Sequence, residues 1–277
     1  MHRATWLFFG IFAMWNGATF ASDGEPLPHW SYASDDGPTR WADLSPKYAL
    51  CREGLRQSPI DLVGSPEGAI EGDNAAGSER IAFEYRPSPS LRIVRQSHIA
   101  DVLNNGHTIQ INPEGESALD LDGERFRLVQ YHFHAPSEHT LDGRQFPMEL
   151  HAVHQSASGE LAVVGLFIES GAPHPAIAKL WAHIPEEEGL IDHHEDVEIS
   201  PGAFLPNTIH LYRYSGSLTT PPCSEKVRWA VIAEPIEFSQ EQIETFEKFY
   251  SGNNRPLQPL NGRKIRMIEV NRGTGDK

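Results

Sequence analysis

The chain has 277 residues, 39% of them hydrophobic and 22% charged, with a formal net charge of -15. That length suits one large domain or two small ones and is ample for a sizeable core, and six tryptophans beside so ordinary a charged fraction exclude general disorder. The acidic balance argues against a nucleic-acid or anionic-membrane partner and reads as a solvated surface.

In chain order, the first signal is at the start. Arg3 leads into an apolar run from Trp6 to Trp15, and small residues follow at Gly17, Ala18 and Ala21. This pattern predicts a secretory signal peptide over residues 1–21, cleaved after Ala21, with 22–277 as the mature domain; a membrane anchor or buried helix is the alternative. No later stretch is apolar enough to span a bilayer, so no integral membrane segment is expected after signal removal. Cys51 and Cys223 are the two cysteines. In an exported protein an isolated pair points to a disulfide, two buried thiols being the alternative.

Gly64 to Ser78 reads as a surface loop. Strand-like runs follow at Leu91–Val94, Thr108–Ile111, Arg125–His134, Glu149–Gln155, Leu161–Ile168 and Val227–Ile232. Turn signals separate them, among them Asn104-Asn105-Gly106, Asp122-Gly123, Asp142-Gly143 and Ser158-Gly159. Helices are few: one opens at Ser239 with Gln242 placed for a capping box, and another runs from Pro175 to about His183. The expected fold is mainly β (α+β): a single domain around a mostly antiparallel sheet with a few peripheral helices.

Gln130-Tyr131-His132-Phe133-His134 is the most informative segment. On a strand, His132 and His134 share one face and Tyr131 and Phe133 the other. In Glu149-Leu150-His151-Ala152-Val153-His154, Glu149, His151 and Val153 share a face, and His154 lies on the opposite one. If the two strands pair antiparallel, His151 completes a three-histidine site with an open fourth position, the arrangement of catalytic zinc. Gln130 and Glu149 fall on the same faces and can each accept a ring N–H, fixing the orientation of a ligand. An H-x-H pair by itself is more commonly two ordinary histidines; the third histidine and the matched acceptors carry the metal reading.

The chain also resembles a known family. Gln57-Ser58-Pro59-Ile60-Asp61, the run Tyr131 to Thr140, and Ser217-Leu218-Thr219-Thr220-Pro221-Pro222-Cys223 look like signature segments of α-carbonic anhydrases. Trp30-Ser31-Tyr32, Asn104-Asn105-Gly106-His107, Glu234-Pro235-Ile236 and Asn254 to Asn261 match in the same order, so the resemblance extends from about Trp30 to Met267. It implies a twisted, largely antiparallel sheet of about ten strands with the active site in a conical cleft. It implies Zn2+ on His132, His134 and His151, and reversible hydration of carbon dioxide to bicarbonate by zinc-bound hydroxide.

The resemblance assigns further roles residue by residue. Thr219, donating to Glu138, would orient the nucleophile, and Thr220 would position bicarbonate. Val153, Val163, Leu218 and Trp229 would form the apolar wall for carbon dioxide. His107 takes the proton-shuttle position, with Tyr32, Asn105 and Gln110 holding the intervening water chain; read alone, His107 is equally a solvent-facing turn histidine. His139 reads as structural, hydrogen-bonding within the core, and His193-His194 as surface residues. Ala135-Pro136-Ser137-Glu138 after His134 looks like bacterial members, and the cysteine positions resemble the disulfide pair of extracytoplasmic ones. Both agree with export to the periplasm or exterior of a bacterium. A homodimer is left open, since no sequence feature decides it. A zinc esterase and a silent binding module are the rivals; the second fits poorly with three retained histidines beside Glu138 and Thr219.

Overall fold

The fold is described from a computed structural model covering residues 27–63, 81–84, 102–113, 117–192, 201–206 and 209–270. The expected signal peptide, the 64–78 loop, the 91–94 strand and His193-His194 lie outside the described residues.

The N-terminal segment carries two short helices, α1 (Trp41–Leu44) and α2 (Leu50–Glu53), then β1 (Asp61–Leu62). Strands follow as β2 (Ile81–Glu84), β3 (Val102–Asn104), β4 (Ile109–Ile111), β5 (Ala118–Leu121) and β6 (Glu124–His134). Next come β7 (Thr140–Leu141), β8 (Arg144–Gln145), β9 (Met148–Ser156), β10 (Leu161–Ser170) and α3 (Pro175–Trp181). The remainder is β11 (Ile191–Asp192), β12 (Ile209–Ser217), β13 (Glu225–Phe238), α4 (Gln240–Glu247) and β14 (Arg266–Val270).

Eleven strands form one sheet in the order β11-β3-β4-β6-β9-β10-β13-β12-β14, with β5 on β6 and β2 on β5; β1, β7 and β8 make a small second sheet. The mainly β class and the scarcity of helices are as expected. Most pairings are antiparallel, but β10 and β13 run parallel from Ala162–Arg228 to Ser170–Phe238, with one register shift, and β1 and β7 are also parallel, which a reading of successive hairpins does not anticipate. Two tight connections have an evident local cause. Asp122-Gly123 joins β5 to β6 and Asp142-Gly143 joins β7 to β8, all four residues at positive φ, the backbone of a turn whose twist matches that of the strands. The capping box at α4 forms as the sequence indicates: Ser239 Oγ accepts from Gln242 N while the Gln242 side chain accepts from Ser239 N.

The sheet is apolar on both faces, so its strands bury alternating residues into two separate cores. One contains Tyr131, Phe133, Leu150, Ala152, Val164, Leu166 and Ile232 beneath α3 and α4, with Ile177, Ile243 and Phe246 supplied by the helices. The other contains Val153, Val163, Phe167, Tyr214, Trp229 and Val231. Strand β6 shows how the second face becomes a site. Its first half alternates exposed and buried residues, and from Gln130 onward every residue is buried. Between the halves the pairing with β9 slips by one residue at Val129: Leu128 lies opposite His154, whereas Gln130 lies opposite Val153. This β-bulge resets the parity, so Gln130, His132 and His134 face the second core rather than the first, which Tyr131 and Phe133 enter instead.

Candidate metal centre

Downstream of that bulge, His132 pairs directly with His151, and His134 pairs with Glu149. Directly opposed residues project to the same side of a sheet, so three histidines from two strands meet above one face. One ring nitrogen from each lies within 4.8 Å of the others. All three are buried.

Each ring is held by its other nitrogen. His132 Nδ1 lies 2.8 Å from Gln130 Oε1, His134 Nδ1 lies 2.7 Å from the Asn253 carbonyl, and His151 Nε2 lies 2.8 Å from Glu149 Oε1. An acceptor on one nitrogen places the proton there and turns the other lone pair inward. Burial holds the His132 ring far below the usual histidine range, helped by His134 and His151 beside it; burial likewise lowers His134. Both rings are therefore neutral, the form that binds a metal. At the centre of this cluster His134 Nε2 and Glu138 Oε2 are buried with no hydrogen-bond partner. A buried lone pair left unmet is costly, and a cation among three imidazoles is the partner that satisfies it. The donor set fits zinc, which takes three neutral histidines in open catalytic sites.

Glu149 is the most heavily engaged group. Oε2 accepts from the backbone N–H of Glu138 (2.9 Å) and of His139 (2.8 Å), and Oε1 also meets His139 Nδ1 at 2.8 Å. Burial raises the Glu149 carboxyl, but His139 and His151 outweigh it and hold it well below its usual range. His139 Nε2 in turn meets the Tyr214 hydroxyl at 2.6 Å, and Tyr214 donates to Ser58 Oγ at 2.8 Å. Room for this network comes from Gly165, which lies opposite His151 on β10. A Cβ there would stand 2.9 Å from Glu149 Oε1 and 3.2 Å from Val231.

The expected apolar wall lies beside the histidines. Val163 pairs with Val153 on one side and Trp229 on the other, making one row across three strands. The Trp229 ring centre is 4.9 Å from that of His151, and Leu218 packs on the same core. Trp229 Nε1 donates to the Ser217 carbonyl at 2.9 Å, fixing the start of the loop that bears Thr219 and Thr220. Thr219 is buried and Thr220 half-buried. The loop ends at the Cys51–Cys223 disulfide, and Arg255, itself buried, donates to the Cys51 carbonyl and to Gln57 Oε1. Arg255 N donates to Glu138 Oε1 at 2.8 Å, leaving Oε2 as the open oxygen.

On the polar side, Gln110 pairs directly with His132. Gln110 Oε1 accepts from Asn105 Nδ2 at 3.2 Å, and Asn105 Oδ1 accepts from the N–H of His107 and Thr108. The His107 ring stacks on Trp30, centres 3.8 Å apart and planes within 8°. Burial, then the charge of His29, pushes its pKa down to about 4. Tyr32 packs edge-on against Trp30. His154 is buried on the far face, its Nδ1 2.9 Å from the Ala152 carbonyl. Asn253, Arg255, Gly165, Tyr214 and Ser58 were not identified from the sequence as parts of the site.

Residues 36–269 match the family described as eukaryotic-type carbonic anhydrase. A carbonic anhydrase of Pectobacterium atrosepticum is 40% identical over 91% of this chain and 96% of its own. One of Pectobacterium carotovorum is 42% identical over 89% and 93%. The α-carbonic anhydrase of Thermovibrio ammonificans, solved with the inhibitor sulfanilamide, superposes with a TM-score of 0.74 at 43% identity, over 86% of this chain and 98% of that one. The chain belongs to the eukaryotic-type, or α, carbonic anhydrase family, whose zinc-dependent hydration of carbon dioxide is its activity.

Proposed function

We propose that the reaction is carried out at the centre formed by His132, His134 and His151, in a protein exported to the bacterial periplasm or exterior. The observation that carries this assignment is the convergence of three buried imidazoles, each braced by a separate acceptor, around the unpartnered His134 Nε2 and Glu138 Oε2. His132, His134 and His151 would hold zinc, which would supply Lewis-acid activation of water as a nucleophile near neutral pH, the known behaviour of carbonic anhydrases. Gln130, the Asn253 carbonyl and Glu149 keep the three rings in place.

The substrate side follows from the polarity of the walls. Carbon dioxide carries no charge and forms weak hydrogen bonds, so the row Val153–Val163–Trp229 with Leu218 holds it by apolar contact. Thr219 would donate its hydroxyl to Glu138 Oε2, the open carboxylate oxygen, and so would present its own oxygen as an acceptor to the attacking group. Thr220, on the same loop, receives the bicarbonate product. The proton leaves along the side lined by Tyr32, Asn105 and Gln110 to His107. Against Trp30 that ring has a pKa of about 4, too low to accept a proton at neutral pH, so transfer requires it to swing off the stack into water.

Export is supported by the N-terminal pattern, by the Cys51–Cys223 disulfide and by the bacterial relatives. No helix among the described residues is long and apolar enough to cross a membrane. Stopped-flow carbon dioxide hydration before and after zinc chelation tests the function. Activity lost with zinc and regained on its return is expected; a folded, zinc-loaded protein without activity would overturn it. Comparison with an activated ester excludes the esterase reading when carbon dioxide is the better substrate by catalytic efficiency.

A further inference from the structure

Asn253 braces His134 through its backbone carbonyl. Its side chain has separate partners. Oδ1 accepts from the N–H of Ala135 at 2.8 Å, and Nδ2 donates to the carbonyls of Phe133 at 3.0 Å and His107 at 3.1 Å. These partners fix the orientation of the amide, since its oxygen must face the N–H and its nitrogen the two carbonyls. Both amide protons are used, and the residue is buried. Phe133 lies between His132 and His134. One amide therefore joins the main chain of His107 to the main chain of the strand that carries two of the three metal-site histidines.

The link falls where the sheet does not reach. Strand β4 pairs with β6 at Gln110–His132 and Ile111–Tyr131, so His107 stands ahead of the ladder. Thr108 beside it is held by its hydroxyl, which donates to the Phe133 carbonyl at 2.5 Å. The segment that delivers Asn253 is itself anchored around the site. The Tyr250 hydroxyl donates to Asn104 Oδ1, and Gly252 N donates to the Ala135 carbonyl at 2.7 Å. Arg255 N, two residues on, donates to Glu138 Oε1.

We propose that the Asn253 side chain is a positioning group for proton transfer, holding the His107 backbone at a set distance from the metal-site strand. The swing of the His107 ring off Trp30 then changes a side-chain torsion and leaves the origin of the path in place. The reading rests on the shuttle assignment of His107 above. Placement matters at this scale, because a displacement of about 1 Å caused far from the chemistry can cost on the order of 100-fold in rate. The two roles of Asn253 are separable, since its main-chain carbonyl stays whatever side chain it bears.

The test is carbon dioxide hydration at low and high buffer for the zinc-loaded wild type, Asn253→Asp, Asn253→Ser, His107→Ala and the Asn253→Asp/His107→Ala double variant. Rates are read per bound zinc, with circular dichroism on the same samples. Asn253→Asp keeps the size of the side chain and an acceptor for Ala135 N, but sets its other oxygen against two carbonyls. It should lower kcat in scarce buffer by about threefold to tenfold, with a smaller loss in kcat/KM, and added imidazole should restore kcat. Asn253→Ser, which removes the link without the repulsion, should act in the same direction and carries the test if Asn253→Asp does not fold. In the His107→Ala background the substitution should leave kcat in scarce buffer almost unchanged. Equal losses in kcat and kcat/KM that imidazole does not restore would mean support of the metal site alone and would overturn the proposal. Wild-type kcat in both Asn253 variants beside a slowed His107→Ala would overturn it and leave the shuttle standing. An unslowed His107→Ala would overturn the shuttle and the proposal together.

Discussion

Two faces of the same strands have opposite tasks. Tyr131 and Phe133, with Leu150 and Ala152 on β9, point into an apolar core sealed by α3 and α4. Their immediate chain neighbours His132, His134, Glu149 and His151 point the other way, into a cluster where each ring is braced through one nitrogen by a separate acceptor. The apolar face stabilises through area removed from water and tolerates any residue of suitable shape. The polar face depends on a few directed contacts, and a displacement of one ring undoes it. Because the faces share a backbone, substitutions one residue apart should have different outcomes.

The largest contrast comes from the ligands. Replacing His132, His134 or His151 by alanine should abolish hydration and weaken zinc binding beyond the ~10–100-fold typical of losing a supporting contact, as measured by zinc titration and stopped flow. Phe133→Ala, between two of those histidines, should instead cost about 3–5 kcal/mol of stability while the folded fraction still binds zinc. Chemical denaturation beside zinc analysis separates the two results.

Reducing the disulfide, or Cys51→Ser with Cys223→Ser, tests the link from the Thr219 loop to the N-terminal segment. The chain-entropy model gives a loss of about 4–5 kcal/mol for so long a loop, read as a lower denaturation midpoint with a steeper slope, because the unfolded chain without its crosslink exposes more surface.

The apolar face also contains a titratable group, His154, buried and depressed to about 4. Burial is the main cause, opposed by hydrogen bonds to the Ala152 and Ala162 backbone. Between pH 6.5 and 4 the unfolded chain protonates this histidine and the folded chain does not. Stability is therefore full above the unfolded pKa and is lost as pH falls through that window, by roughly 3 kcal/mol for this group. In chelated protein, where metal release contributes nothing, His154→Gln should flatten the acid limb by that amount.

Gly165→Ala should have a smaller effect, about 1–3 kcal/mol from overpacking. Because its Cβ would press on Glu149 Oε1, zinc affinity should fall with stability, whereas an overpacked residue on the other face would lower stability alone.

Much of this was legible in the sequence because strand parity is a strict period of two. That period placed His132, His134 and Gln130 together and excluded His154. It could not show the bulge at Val129, without which His132 would oppose Leu150 rather than His151; a bulge is a pairing property, and no glycine marks it. Nor could it supply the third brace, the Asn253 carbonyl, a backbone atom 119 residues from its ring. Gly165 inside an apolar run signals a close approach, but nothing local names Glu149 as what approaches. The stack of His107 on Trp30 joins segments distant in sequence and was visible only once they were folded together.

The most direct test of the two-face account is zinc K-edge X-ray absorption on zinc-loaded wild type, His151→Ala and Phe133→Ala, with hydration rates on the same samples. The account predicts three imidazoles on zinc in the wild type and in Phe133→Ala, with activity in both, and fewer imidazoles and no activity in His151→Ala. An unchanged zinc environment with retained hydration in His151→Ala would contradict it.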